Sequence, residues 1–148
     1  MGLFIFSELW VSQRCFNLWP DLLIGPMVIH NNFADFVLFL YVYIAFSDGD
    51  FHPLERAEII EKMKKLYPED ASEYEMKIDE TVRHYHDFEK TKLNSLFKDT
   101  FKHFSKITFN QRYRVYTDMY DILHADGKVD EAEMLALNAL KEIIDITN

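Results

Sequence analysis

Along most of this chain apolar residues recur at three- and four-residue spacing, and no segment alternates strictly between apolar and polar as a half-buried strand would. Between residues 34 and 46 the apolar positions are almost continuous, which predicts a central helix covered on every side. Further on, Tyr113, Tyr116, Met119, Tyr120 and Leu123 share one helical face. Met134, Leu135, Leu137, Ala139, Leu140, Ile143 and Ile144 form a wide stripe on another.

Breakers frame these stripes. All four prolines (Pro20, Pro26, Pro53, Pro68) lie before residue 69, and beyond it the only glycine is Gly127. So long a stretch with one strong breaker must be nearly all helix. Ser72-Glu73-Tyr74-Glu75 and Thr108-Phe109-Asn110-Gln111 read as capping boxes, Pro53 suits a first helical position, and Asp130 suits an N-cap. The pattern predicts helices near residues 31–46, 53–66, 72–88, 89–105, 109–125 and 130–146. The expected fold is all-α: a compact single-domain bundle of six or seven helices, with Val37, Leu40, Ile44, Leu123, Leu137 and Leu140 buried.

Residues 1–26 stand apart from the helical domain expected over residues 27–148. They carry Phe4, Phe6, Trp10, Phe16 and Trp19, with breaks at Pro20 and Gly25-Pro26. Three readings stay open: an extra amphipathic helix on the bundle, an arm for a partner or a membrane surface, or an upstream extension of a gene whose natural start is Met27. A signal peptide is not expected, because no basic residue precedes the apolar start. The myristoylation pattern fails at Phe6. The run from residue 33 to 46 is 14 residues long, short of the roughly 20 that span a bilayer. The chain is therefore expected to be soluble and cytoplasmic, with membrane-surface contact confined to residues 1–26.

Charge narrows the partners. The chain has 148 residues, with 16 Lys and Arg against 25 Asp and Glu and a net charge of −9. That balance disfavours nucleic acid and favours cations or a protein partner. Cys15 is the sole cysteine, so an intramolecular disulfide is excluded.

One short phrase occurs twice. Asp48-Gly49-Asp50-Phe51 leads to Glu55, and Asp126-Gly127-Lys128-Val129 leads to Glu133. The same 78 positions separate the two aspartates and the two glutamates. Turn chemistry explains every residue of the phrase: glycine takes a left-handed helix end, the apolar residue enters the core, and glutamate at the third helical position caps the next helix. A functional reading adds that the corners converge. Asp48, Glu55, Asp126 and Glu133 would then form an oxygen-only site for a hard divalent cation, Ca²⁺ or Mg²⁺, while Asp50 and Asp130 lie close by in sequence. Neither copy is an EF-hand, since its first and third loop positions would be Ile44 and Phe46, or Ile122 and His124, where oxygen ligands are required.

The two stretches, residues 43–59 and 120–137, resemble the tellurite-resistance TerB family, a relative of which also sits beside J-domains in some co-chaperones. The resemblance covers residues 32–146. It implies a compact all-helical fold, a bacterial stress-response or tellurite-resistance association, and a metal site at Asp48, Glu55, Asp126 and Glu133. The chain departs from the family pattern at Ser47, where alanine is usual and Ala125 agrees, and at the helix start His52-Pro53. The aromatic segment before residue 27 lies outside the pattern.

Other chemistry is poorly supported. His84 and His86 are two apart and face different sides of a helix, and no Glu-x-x-His pair exists for a di-iron bundle. Asp121 and His124 make at most half of such a site, so the histidines read as surface or helix-end residues. Lys62-Met63-Lys64-Lys65 reads as a solvated helix face. No activated nucleophile or phosphate loop is present, and an enzyme is not expected.

Overall fold

The computed structural model describes residues 28–30 and 32–145. Among them lie six α-helices and no strand: α1 Phe33–Ala45, α2 Pro53–Leu66, α3 Tyr74–Asp87, α4 Leu93–His103, α5 Phe109–Leu123 and α6 Glu131–Ile144. Short 3₁₀ helices, Pro68–Glu73 and Lys90–Lys92, precede α3 and α4. The readings made for residues 1–26 fall outside the described residues. No helix among the described residues is long and apolar enough to cross a membrane.

α1 is the axis of the bundle. Asn32 caps it, its Oδ1 accepting from Ala34 N–H at 2.8 Å. Every residue from Phe36 to Ala45 except Tyr43 is buried, because α2, α3, α5 and α6 all pack on this helix. Aromatic rings fill the side toward α3 and α4. Phe36 meets Phe101 edge-on at 5.0 Å, Phe39 meets Phe88 at 5.4 Å, and Tyr43 meets Phe97 at 4.9 Å. Such pairs add roughly 0.5–1.5 kcal/mol each beyond the area they bury. Val37, Leu40, Ile44, Leu123, Leu137 and Leu140 are all fully buried, as the pattern predicts.

The opposite side of α1 carries a polar knot. Tyr41 donates its hydroxyl to the buried carboxylate of Asp118 at 2.8 Å, and Arg114 Nε donates to the same group at 3.2 Å. Lys62 on α2 lies 3.5 Å from Asp118 and pairs with Asp121 and Glu58. One buried carboxylate thus ties α1, α2 and α5 together. Burial and the Asp118 charge push the Tyr41 hydroxyl well above its ordinary pKa, so it stays a donor.

Three local expectations change. The box expected at Ser72 does not form: Pro68 opens a 3₁₀ turn that runs straight into α3, and Glu73 caps without a side-chain bond. The box at Thr108 forms as expected, with Gln111 reaching back to Thr108 N–H at 2.9 Å. The basic stretch is not a plain solvated face, since Met63 is buried and Lys62 is held by three carboxylates. On α5 the buried stripe is Val115, Asp118, Met119, Ile122 and Leu123. Tyr113 and Tyr120 stand outside that stripe and are exposed, as is Leu135 on α6.

Candidate metal centre

The two Asp-Gly corners are copies of one structure. α1 and α5 end at Ala45 and Leu123, and α2 and α6 begin at Pro53 and Glu131, each pair 78 positions apart. Gly49 N–H donates to the Phe46 carbonyl at 2.9 Å, and Gly127 N–H to the His124 carbonyl at 3.0 Å. Both glycines hold positive φ, 89° and 78°. Asp48 Oδ1 accepts from Asp50 N–H, and Asp126 Oδ1 from Lys128 N–H, both at 2.9 Å. Each aspartate therefore shapes its own turn with one oxygen.

The exits match as well. Glu55 Oε2 accepts from His52 N–H at 3.1 Å, and Glu133 Oε2 from Asp130 N–H at 2.9 Å. Asp130 Oδ1 completes its box by accepting from Glu133 N–H at 2.9 Å. In the first corner the imidazole of His52 replaces that carboxylate, with Nδ1 accepting from Leu54 N–H at 3.1 Å. This accounts for the unusual start at His52-Pro53: a ring nitrogen caps the helix, and proline fills a position whose N–H has no partner to lose. Ser47 adds a bond from its hydroxyl to the Ile44 carbonyl at 2.6 Å, which the matching Ala125 cannot make.

Gly127→Ala isolates the turn. A Cβ added there meets nothing within 4 Å, so the cost comes from the backbone conformation alone. The substitution is expected to lose about 1 kcal/mol, equally with and without added cation, as read by chemical denaturation.

The two corners meet. Asp48 from the first and Asp130 and Glu133 from the second each offer a carboxylate oxygen, and the three oxygens lie within 4.8 Å of one another. Calcium binds oxygens at roughly 2.3–2.6 Å, so ligands on opposite sides of one ion are about 5 Å apart. Glu55 and Asp126 lie outside this trio but act on it electrostatically. Glu55 and Glu133 are both buried, at 1% and 2% exposure. Burial, with the charges of Glu133, Asp48 and Asp126 added, raises the Glu55 carboxyl from 4.5 to about 7 against the pull of the His52 N–H. Burial and its acidic neighbours raise the Glu133 carboxyl too.

Among the described residues no lysine or arginine forms an ion pair with any of these five carboxylates. Turn chemistry uses one oxygen of each carboxylate and leaves the other with no hydrogen bond among the described residues. An all-oxygen donor set with uncompensated negative charge fits a hard divalent cation.

Of the four residues expected from sequence, Asp48 and Glu133 enter the closest group, and Glu55 and Asp126 border it. Asp130 joins in their place. Its signal was visible as an N-cap, but a cap alone does not say that its carboxylate lies beside the other corner. Asp50 is exposed and takes no part in the trio. Asp121 and His124 do not assemble as half of a bundle site. Asp121 pairs with Lys62, while His124 stacks on Tyr120 at 4.0 Å and donates Nδ1–H to its carbonyl. His84 and His86 do face different neighbours, His84 resting on Phe39 and Phe88 and His86 on Phe46.

No curated protein and no solved structure matches the chain. A family model does: that of Tellurite resistance protein TerB, over residues 34–148, which takes in both corners and all six helices but for Phe33, the first residue of α1. With most of its length matched, the chain belongs to the TerB family.

Proposed function

We propose that this chain is a non-enzymatic, cytoplasmic TerB-family module that binds one divalent cation, Ca²⁺ or Mg²⁺, between its paired acidic corners, in a bacterial stress-response or tellurite-resistance setting. The observation that carries this reading is the convergence of Asp48 with Asp130 and Glu133 from a corner 78 residues on. Glu133, Asp48 and Asp130 would hold the ion, with Glu55 and Asp126 beside them. The bound ion would supply the positive charge that these carboxylates lack. The protein's own part is to fix the carboxylates in two capped corners and to join the corners through α1 and α5.

Asp126→Asn tests the site without breaking the turn, because asparagine keeps the oxygen that accepts from Lys128 N–H. Ligand-driven stabilisation follows mass action and reaches about 2.7 kcal/mol at a hundred times the dissociation constant. The expected result is a melting-temperature rise with Ca²⁺ or Mg²⁺ in the wild type that shrinks several-fold in the variant. An equal rise in both would remove Asp126 from the site.

A second reading has an observation of its own. Phe109, Tyr113 and Tyr120 stand exposed on one side of α5, where a helical scaffold would meet a protein partner. In that reading the corners are only turns, and neither Ca²⁺ nor Mg²⁺ changes the melting temperature of either protein.

A further inference from the structure

Two histidines and two carboxylates lie away from the acidic corners, around a cavity of about 310 Å³ between the start of α1 and the face of α3. His30, Asp35, Glu80 and His84 line it, beside Lys77 and Thr81. The rings of His30 and His84 sit 5.2 Å apart at 77°. His30 Nε2 is sealed from solvent and has no hydrogen-bond partner. Asp35 and Glu80 form no ion pair among the described residues, although Lys77 faces the same cavity and turns to Asp70 and Glu73 instead.

Glu80 and His84 are four residues apart on α3, so both project from one helical face, as paired chelating residues do. Two imidazoles on one tetrahedral zinc, with nitrogens roughly 2.0–2.1 Å from the metal, place their ring centres roughly 5 Å apart. The observed separation already has that value. Aromatic packing holds His84 there, since its ring rests against Phe39 and Phe88. No three of these four side chains bring ligand atoms within 4.8 Å of one another as the corner carboxylates do, so at least one carboxylate has to move onto an ion held by the rings, and Glu80 is exposed and Asp35 half-buried.

We propose that His30 and His84, completed by Asp35 and Glu80, form a zinc-type site distinct from the acidic corners. Mixed imidazole and carboxylate ligands select a borderline transition metal where the corners select a hard cation. Spacing along the chain hides the site, because His30 precedes α1 and meets Glu80 and His84 only when α3 packs beside it.

Calorimetric titration of the full chain with Zn²⁺ tests this, with Co²⁺ absorption as a reporter of tetrahedral nitrogen ligation. His84→Phe and His30→Phe keep a ring in the aromatic cluster and should each weaken Zn²⁺ binding at least tenfold. Glu80→Gln, at an exposed position that does not endanger folding, should weaken it several-fold. Asp126→Asn should leave Zn²⁺ binding unchanged, and His84→Phe should leave the response to Ca²⁺ unchanged. The site is overturned if the wild type does not take up Zn²⁺ at micromolar concentration. It is also overturned if Glu80→Gln and both ring variants bind Zn²⁺ as the wild type does, or if only Asp126→Asn abolishes binding.

Discussion

Glu55→Gln is expected to stabilise the cation-free protein by about 1–3 kcal/mol at pH 8 and to remove most of its stabilisation by Ca²⁺. The carboxyl of Glu55 is buried beside Glu133, Asp48 and Asp126, and its pKa rises from 4.5 to about 7. Below about pH 4.5 both folded and unfolded chains carry the proton, and the site has no effect on stability. Between about 4.5 and 7 the folded chain keeps a proton that the unfolded chain has lost, so stability falls as pH rises through that window. Above 7 both are ionised and the full penalty remains. Glu133, raised for the same reasons, adds a slope of the same sign. Glutamine cannot ionise, yet it still offers an oxygen to His52 N–H, so the cap survives. Denaturant melts of wild type and variant between pH 5 and 8 isolate the effect. Subtracting the two cancels groups remote from the corners, including His30, whose pKa burial lowers, and leaves Glu55 with its coupled neighbour Glu133. Equal stability at pH 8 would mean that Glu55 is not held ionised against its environment.

Asp118→Leu is expected to cost about 3 kcal/mol, because it strands the buried Tyr41 hydroxyl and removes the anion that Arg114 and Lys62 face. Among the described residues the Tyr41 hydroxyl loses its one acceptor, Arg114 loses both bonds from its Nε, and Lys62 keeps its outer pairs with Asp121 and Glu58. Adding Tyr41→Phe to Asp118→Leu removes the stranded hydroxyl and should recover about 1 kcal/mol of the loss. Chemical denaturation of the three proteins at pH 7 checks both figures. If Asp118→Leu costs under about 1 kcal/mol, the carboxylate is not what ties α1, α2 and α5 together.

These two predictions mark where reading the chain succeeds and where it stops. Helix positions were legible because one helix, α1, is apolar on nearly every side and the rest carry clear stripes. α2 starts at Pro53, as expected for a proline at a first helical position. The corners were legible because a left-handed glycine and a glutamate three places into a helix are local requirements, and the chain states them twice. Asp130 in the site, Lys62 at the edge of the core and His30 against His84 were not legible. Each depends on which side chain of a distant helix lies opposite, and periodicity gives a face without naming its partner. The Ser72 box failed for a local reason: Pro68 starts the turn four residues earlier, and a 3₁₀ helix occupies the place where the cap was expected.

Calorimetric titration of the full chain with Ca²⁺ and with Mg²⁺ at pH 8 tests the shared site most directly. Saturable binding of one ion per chain by at least one of the two cations is expected, lost when either Asp48 or Glu133 is replaced by its amide, because the ion rests on both corners at once. Two independent ions per chain, or no saturable heat with either cation at millimolar concentration, would contradict it.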